Sequence, residues 1–304
     1  MSSIAQTVHL LPFRPPFDWP RMLAFFAGRR SLGVEAVIGD RYVRNLEWQG
    51  DAGTLSVGLA ASGDALEASF DGALSRHADA LLPMLERVFD LRAEPARIDP
   101  ALSADPWLAS LVSVRPGLRV PGAVSAFELL VRTVVGQQVS VKAATTIVGR
   151  LVQRAGERVD GAVDEALAWR FPTPAALAAA NLDRIGMPGK RVATLQNLAG
   201  AIHRGELRMD GEGADLGALR RQLLAMPGIG PWTVEYIAMR GWRDPDAWPA
   251  SDLVLMNLMA RQDPTLARAT LQRSRAEAWR PWRAYAAMHI WHSAADAAGQ
   301  ARGG

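Results

Sequence analysis

The first third of the chain alternates hydrophobic and polar residues with a period of two. Residues 54–59 and 65–70 show this alternation, which is typical of half-buried strands. A shorter β-like run lies between residues 34 and 46, with Gly39 and Asp40 as a turn. Residues 19–29 and 77–89 instead have the period of helices. The pattern predicts an α+β domain over residues 1–95, an antiparallel sheet with helices on one face.

From residue 96 to residue 304 the strand pattern vanishes and helix signals replace it. Ser125 and Glu128 have the spacing of a capping box, and Thr173-Pro174 is an N-cap followed by proline at the first helical position. Further helices are expected after Pro188, over 216–225 and 231–240, and over about 252–261, 265–275 and 281–297. The second part is therefore predicted to be a mostly α-helical domain in two subdomains.

Residues 223–241 predict a helix, a tight turn and a second helix. Gly228 and Gly230 permit backbone conformations that a Cβ disfavours, and Pro231 suits the first position of a helix. Such a turn leaves amide N–H groups unshielded at a helix N-terminus, where they bind phosphate. An isolated Gly-x-Gly is usually only a turn, but the longer string between two amphipathic helices favours a helix-hairpin-helix that grips DNA.

The composition narrows the class of protein. The 304 residues are 49% hydrophobic, which suits a globular protein of about two domains. We find no apolar run long enough to cross a membrane and no signal peptide in residues 1–7, so we expect a cytoplasmic protein with no membrane contact. The chain has no cysteine, which excludes disulfides and a thiolate-held iron–sulfur cluster. The net charge of +3 alone says little about nucleic acid.

One acidic residue, Asp252, follows the hairpin. Ser251 reads as the N-cap of an apolar helix and Asp252 as its first turn, where the helix dipole favours an ionised carboxylate. Acidic residues are common at helix N-termini for structural reasons alone. Here the DNA grip upstream, together with aromatic residues around both elements, makes Asp252 a candidate catalytic group.

Aromatic residues near an acid suit an enzyme that acts on a base outside the duplex. Unstacking a base costs a few kcal/mol, and stacking on aromatic rings returns roughly 1–3 kcal/mol per base. An alkylated, cationic base gains a further cation–π attraction, and it leaves as a neutral molecule without a general acid. The reaction then needs only an anion near the sugar, to stabilise the developing positive charge and orient water. Most of the ten tryptophans are still expected to be packing residues.

The lysines decide whether the enzyme also cuts the strand. Strand cleavage usually needs an amine that forms a Schiff base with the sugar, and a lysine just past the hairpin glycines would supply one. Here Pro231 and Trp232 follow, and the two lysines of the chain, Lys142 and Lys190, lie elsewhere. The sequence predicts a monofunctional enzyme.

Several motifs in one order give the chain a resemblance to the AlkA family, the bacterial 3-methyladenine DNA glycosylases II of the helix-hairpin-helix superfamily. The motifs are residues 15–19 (PPFDW), 115–122 (RPGLRVPG), 135–141 (VGQQVSV), 186–188 (GMP), the hairpin, 279–285 (WRPWRAY) and 289–291 (HIW). The resemblance spans nearly the whole chain. It implies a sheet domain packed on two helical subdomains with a cleft between them.

The resemblance also assigns roles to residues. It makes Asp252 the catalytic carboxylate and puts four aromatic residues around the flipped base: Phe25, Trp232, Tyr236 and Trp291. Gly228, Gly230 and Thr233 are expected to hold phosphate, and Gln137 to contact DNA. Backbone carbonyls are expected to bind a monovalent cation, Na⁺ or K⁺, that has no catalytic duty; they belong to Leu224, Met226 and Ile229. No cofactor is expected for catalysis.

Two positions depart from the family pattern. The family inserts an apolar side chain into the gap left by the flipped base, and Gln138 stands there instead. An amide can also fill the gap and bond to the orphaned base. Leu253 follows the catalytic acid where close relatives have an aromatic residue, so one pocket wall lacks an aromatic face. Both changes bear on which lesions are accepted.

We therefore expect a monomeric, monofunctional DNA glycosylase that removes alkylated purines, such as 3-methyladenine and 7-methylguanine, from double-stranded DNA and leaves an abasic site. Two alternatives stay open. The same scaffold could act on deaminated or oxidised bases, or the chain could be a non-catalytic module that binds damaged DNA without needing Asp252.

Overall fold

The computed structural model describes residues 7–162, 164–209 and 213–303. Residues 1–6, where we looked for a signal peptide, lie outside the described part. Buried apolar side chains form two clusters, one drawn from residues 11–91 and the other from residues 93–290 together with Val34. None of the helices in the described part is long and apolar enough to cross a membrane.

The first cluster lies between one sheet and two helices. The strands are β1 (Val8–Pro12), β2 (Glu35–Ile38), β3 (Arg41–Trp48), β4 (Asp51–Leu59) and β5 (Ala65–Phe70). They pair antiparallel throughout, in the order β1-β5-β4-β3-β2. The helices are α1 (Trp19–Gly28) and α2 (Ala78–Phe89), the second preceded by a 3₁₀ turn, Gly72–His77. Leu55 and Val57 of β4 are fully buried, as the alternation predicted.

The second cluster is built from helices. They are α3 (Pro95–Ser103), α4 (Pro106–Val114), α5 (Ala126–Gly136), α6 (Val141–Ala155), α7 (Pro174–Ala179), α8 (Gly189–His203), α9 (Leu216–Leu224), α10 (Pro231–Arg240), α11 (Leu253–Gln262), α12 (Ala269–Ala276) and α13 (Arg283–Gly303). Pro174 and Pro231 are first residues of their helices, as expected. The predicted α+β domain followed by a helical domain is confirmed.

Three details of the pattern analysis were wrong. We missed β1, an edge strand with Val8 and Leu10 exposed and therefore no clear alternation. Strand structure does not vanish in the second part, because residues 157–158 and 169–170 pair as β6 (Glu157–Arg158) and β7 (Trp169–Arg170). Two residues are too few to show a period. The helix expected over 265–275 is a 3₁₀ turn, Pro264–Leu266, followed by α12.

The capping box at α5 forms only in part, because the Glu128 side chain bonds to residues of the sheet domain instead. Ser125 Oγ accepts the N–H of Glu128 at 3.4 Å, as predicted. The Glu128 carboxylate does not turn back to Ser125 but crosses to the sheet domain, where it accepts from Ser31 Oγ at 2.8 Å and Arg44 at 2.9 Å. Burial alone would raise the pKa of Glu128, but Arg44 and Arg132 outweigh it and hold that pKa below its ordinary value. This buried network joins α5 to the sheet.

Candidate active site

The turn between α9 and α10 depends on one glycine more than on the other. Gly228 has a φ of +83°, and a Cβ there would lie 2.5 Å from Thr194 Oγ1. Gly230, by contrast, has φ −104° and ψ 169°, with open space around its Cβ position. Our expectation that both glycines need forbidden backbone conformations was right for Gly228 and wrong for Gly230. The chain between them is fixed by Ile229, which is buried in the core.

The N-terminus of α10 has no side-chain cap. Gly230 is the N-cap residue, Pro231 has no N–H, and the first recorded intrahelical bond runs from Val234 N–H to the Gly230 carbonyl. The N–H groups of Trp232 and Thr233 thus stand at the positive end of the helix dipole. Thr233 as a whole residue is only 2% exposed, and its hydroxyl accepts from Gln137 Nε2 at 3.4 Å. Trp232, which is half-buried, is the more accessible of the two residues at this helix end.

Asp252 is the N-cap of α11, one residue later than the sequence suggested. The N-cap is not Ser251: Asp252 Oδ1 accepts the N–H groups of Val254 and Leu255, each at 3.0 Å. Two indoles complete the set, with Trp291 Nε1 donating to Oδ1 at 2.9 Å and Trp232 Nε1 donating to Oδ2 at 3.0 Å. Oδ1 thus accepts three hydrogen bonds and Oδ2 one. Oδ2 keeps a lone pair for a group in the cleft.

The aromatic residues expected around the base meet at this carboxylate. Trp232 and Tyr236 stack with ring centroids 5.2 Å apart, and Trp291 meets Tyr236 edge-on at 6.1 Å. Phe25 reaches the same space from α1 in the sheet domain. All four residues and Asp252 line one cleft of about 790 Å³ between the two domains. That volume suits a flipped nucleobase with part of its sugar.

The other residues singled out from the sequence lie at the rim or further away. Gln137 and Gln138 join α5 to α6 beside the cleft, and Gln138 is exposed with a φ of +60°. Its amide oxygen accepts from Arg191 at 3.4 Å. Leu253 is 73% exposed, and its neighbour Val254 lines the cleft instead. A larger cavity of about 1050 Å³ between the domains contains none of the predicted site residues.

The carbonyls expected to bind a cation lie at the hairpin turn. Within the described residues, the Met226 carbonyl accepts the N–H of Ile229 at 3.1 Å, and no backbone donor outside the helices is recorded for the carbonyls of Leu224 and Ile229. Carbonyls after the last turn of a helix commonly lack a partner, so this set fits a hard monovalent cation. No cluster of three or more His, Asp or Glu in the described part is placed to hold a metal.

Sequence reasoning missed the positive side of the cleft. Arg21, Arg29, Arg30, Arg132 and Arg240 all contribute to its lining. Only one spacing hinted at this, because Trp232, Tyr236 and Arg240 recur every four residues and so share one side of α10.

Arg240 is the most deeply buried of these arginines. It donates to the carbonyls of Pro121 and Gly122 and, at 2.6 Å, to the Tyr236 hydroxyl. Burial alone would raise the pKa of Tyr236, but Arg240 and Arg29 outweigh it and hold that pKa below its ordinary value.

A histidine also lines the cleft without having been predicted. His292 belongs to α13, one residue after Trp291. Burial, assisted by Arg21 and Arg115, lowers its pKa to about 4. The imidazole is therefore neutral at neutral pH and adds no charge to the cleft.

These features together define a class of protein, the two-domain helix-hairpin-helix proteins of base excision repair. The class combines an antiparallel sheet domain with a helical domain that carries an uncapped hairpin and an acidic N-cap between two indoles. The sequence model of the AlkA N-terminal domain matches residues 8–125. The model of the HhH-GPD superfamily base excision DNA repair proteins matches residues 131–284.

The chain belongs to the AlkA family within that superfamily. It is 37% identical over 289 residues to DNA-3-methyladenine glycosylase 2 of Escherichia coli K12, covering 94% of this chain and 97% of that protein. It is 38% identical over 288 residues to a probable bifunctional transcriptional activator and DNA repair enzyme AlkA of Mycobacterium tuberculosis, covering 94% of this chain and 57% of that protein. The solved structure of the 3-methyladenine DNA glycosylase of Archaeoglobus fulgidus has the same fold, with a TM-score of 0.80 at 19% identity over 93% of this chain and 96% of that one.

Proposed function

We propose that this protein is a monofunctional DNA glycosylase that flips alkylated purines, of the 3-methyladenine and 7-methylguanine type, out of duplex DNA and hydrolyses their N-glycosidic bond. It acts as a monomer and leaves an abasic site. The observation that carries the proposal is the Asp252 carboxylate, which two indole N–H groups and two backbone N–H groups fix in an aromatic cleft of about 790 Å³.

Asp252 is the catalytic residue of this proposal. The bond between C1′ and the base nitrogen breaks, its electron pair stays on the base, and positive charge develops on the sugar. A carboxylate held by fixed dipoles stabilises that charge without having to reorganise. Oδ2, with a single hydrogen bond from Trp232, is the oxygen free to face the sugar and the attacking water. The water oxygen bonds to C1′ and gives up a proton through the carboxylate to solvent.

The base is held by the aromatic residues of the cleft. Trp232, Tyr236 and Trp291 offer ring faces and edges, and Phe25 faces them from α1. Stacking of roughly 1–3 kcal/mol per base offsets part of the unstacking cost in the duplex. A cationic alkylated base adds attraction to Asp252, so the lesion is favoured over an unmodified base.

The hairpin holds the DNA backbone next to the cleft. The uncapped N-terminus of α10, after Gly228 and Gly230, offers donors to a phosphate. The exposed amide of Gln138, with Gln137 beside it, would fill the gap that the flipped base leaves. The carbonyls of Leu224, Met226 and Ile229 would hold a monovalent cation, whose positive charge would add to the attraction for phosphate.

The lysines support hydrolysis without strand cleavage. Lys142 and Lys190 are exposed, and neither lines the cleft that contains Asp252. A Schiff base needs an amine within reach of C1′. The described part of the cleft offers guanidinium groups instead, which are protonated at all ordinary pH values and are not nucleophiles.

The test compares wild type with Asp252→Asn on duplex DNA that carries one alkylated purine. Asparagine is as good an N-cap as aspartate, so α11 should stay formed. Its amide cannot balance the positive charge on the sugar, and base release should fall roughly 10²–10³-fold. Abasic sites are counted as strand breaks after hot alkali, and breaks without alkali should stay absent.

Asp263→Asn is the matched control. Asp263 is also a helix N-cap, of the exposed 3₁₀ turn Pro264–Leu266, and it does not line the cleft. Its base release should equal that of wild type. Tight DNA binding with no base release from wild type would instead identify a non-catalytic module, and equal activity of wild type and Asp252→Asn would remove Asp252 from the chemistry.

A further inference from the structure

The two ends of the cleft have opposite charge. Trp232, Tyr236 and Arg240 lie along one side of α10, and eight residues of helix span about 12 Å. Asp252 lies at the Trp232 end, where both indoles donate to it. The Tyr236 hydroxyl touches Arg240 at the other end. A flipped base therefore enters a cleft that is negative at one end and positive at the other.

Within the described part of the chain, the Arg29 guanidinium at the positive end donates no hydrogen bond to another protein group. It follows α1, lines the cleft, and its Cζ lies 4.2 Å from the centroid of the Phe25 ring. No carboxylate in the described part of the chain lies within ion-pair distance of Arg29, whereas Arg132 is paired with Glu35 at 2.9 Å. Arg240 lies over the same Phe25 ring at 4.7 Å, but its nitrogens are already bonded.

We propose that Arg29 is a specificity-determining residue that favours flipped purines with a carbonyl oxygen at position 6. The proposal rests on the proposed function, because it takes the glycosidic bond to lie at Asp252. The six-membered ring of the purine is then the part farthest from the sugar, and it extends toward Phe25 and Arg29. A guanidinium offers only donors, so it matches a 6-oxo group and opposes a 6-amino group.

The same guanidinium acts on bases that carry no charge before cleavage. When the C1′–N9 bond of an uncharged 6-oxopurine breaks, the bonding electron pair stays on N9. The released base is then an anion, with part of its negative charge on O6. Arg29 lies where that charge develops and stabilises it. The base then takes a proton from water, while the water oxygen that bonded to C1′ gives its proton through Asp252 to solvent. Arg29 therefore lowers the barrier to release of uncharged 6-oxopurines as well as holding the cationic ones.

The experiment measures two bases in one reaction. Duplex DNA treated with dimethyl sulfate contains 7-methylguanine, a 6-oxopurine, and 3-methyladenine, a 6-aminopurine, both cationic. Chromatography of the released bases gives their ratio, which does not depend on how much enzyme is folded. In Arg29→Ala the rate ratio of 7-methylguanine to 3-methyladenine should fall about tenfold, the loss expected for one hydrogen bond to a charged donor. Release of hypoxanthine from a deoxyinosine duplex should fall at least as much.

Two further variants separate selection from structure. Arg29→Lys keeps the positive charge and a donor, so it should recover much of the ratio. Arg273→Ala removes one positive charge from exposed α12, outside the cleft lining, and should leave the ratio unchanged. A ratio in Arg29→Ala within about twofold of wild type would overturn the role of Arg29 while both bases are still released. Release of neither base by wild type would overturn the proposed function itself.

Discussion

Two helix N-termini lie side by side in this protein, and only one of them is capped by a side chain. α10 begins after Gly230, which has no side chain to cap it, so no side chain accepts the first N–H groups of that helix. α11 begins after Asp252, whose carboxylate accepts two of the donors that follow it. The same positive helix end serves two purposes. Under the proposed function, the uncapped end would bind a phosphate of the DNA, and the capped end holds the carboxylate that would face the positive charge on the sugar.

The two ends are also joined. Trp232 lies in the first turn of α10, and its indole N–H donates to Asp252 Oδ2 at 3.0 Å. Under the proposed function, a phosphate bound at the α10 N-terminus would lie one side chain away from Asp252. The DNA backbone and the carboxylate would then be positioned by one pair of helices, as a reaction at C1′ needs.

The largest expected effect is on stability, and it should differ between the two glycines that precede α10, Gly228 and Gly230. Gly228→Ala puts a Cβ at a φ of +83° and 2.5 Å from Thr194 Oγ1, so the free energy of unfolding should fall by about 1–3 kcal/mol. Denaturant titration measures the loss. Gly230→Ala meets no neighbour and should cost clearly less.

The double variant Gly228→Ala/Thr194→Ala checks the cause. Removing the Thr194 hydroxyl and methyl relieves the close contact but not the backbone strain, so the pair should recover part of the lost stability. Equal stability of Gly228→Ala and Gly230→Ala would show that the turn does not depend on a left-handed residue at 228.

The next prediction converts the open helix end into a closed one. Gly230→Asp places a carboxylate N-cap on α10, at a backbone conformation that any residue can adopt. The cap should stabilise the helix by about a few tenths of a kcal/mol, while the affinity for duplex DNA should fall about tenfold and its salt dependence should lose about one unit of slope. Titration of labelled duplex at several salt concentrations measures both.

Gly230→Asn is the uncharged partner of that change. It caps the helix equally well but does not repel phosphate, so its affinity should lie between those of wild type and Gly230→Asp. If the two variants bind DNA as tightly as wild type, phosphate is not held at this N-terminus.

The smallest effect compares the two indoles that hold Asp252. Trp232→Phe removes the one recorded donor to Oδ2, and Trp291→Phe removes one of three donors to Oδ1. We expect single-turnover base release to fall several-fold, to about tenfold, in Trp232→Phe and less in Trp291→Phe. The reverse order would mean that Oδ1, and not Oδ2, faces the sugar.

The open helix end was accessible from sequence because its signals are local. Gly228, Pro231 and the four-residue spacing along α10 define a turn and a helix wherever they occur, and the structure has both where they were expected. The capping of α11 was also local, but Ser and Asp are both good N-caps, and composition alone could not choose between Ser251 and Asp252.

The positive end of the cleft could not be predicted, because it is made by distant parts of the chain. Arg29 and Phe25 come from the sheet domain, and Arg240 comes from α10. Thirty-four lysines and arginines are spread over the sequence, and only packing decides which of them line a cavity. Glu128 shows the same limit, since a local capping signal gave way to a partner 84 residues away, Arg44.

The buried ion pair between Glu128 and Arg44 limits which sheet domains and helical domains can be combined in one chain. Glu128 and Arg132 of α5 are matched by Arg44 and Glu35 of the sheet domain, so an exchange of one domain for a distant counterpart would strand buried charges at the junction. Phe25 and Arg29 travel with the same domain. We therefore expect the two domains to be inherited together when genes recombine. The sheet domain is an integral part of the enzyme, and it cannot be exchanged independently of the helical domain.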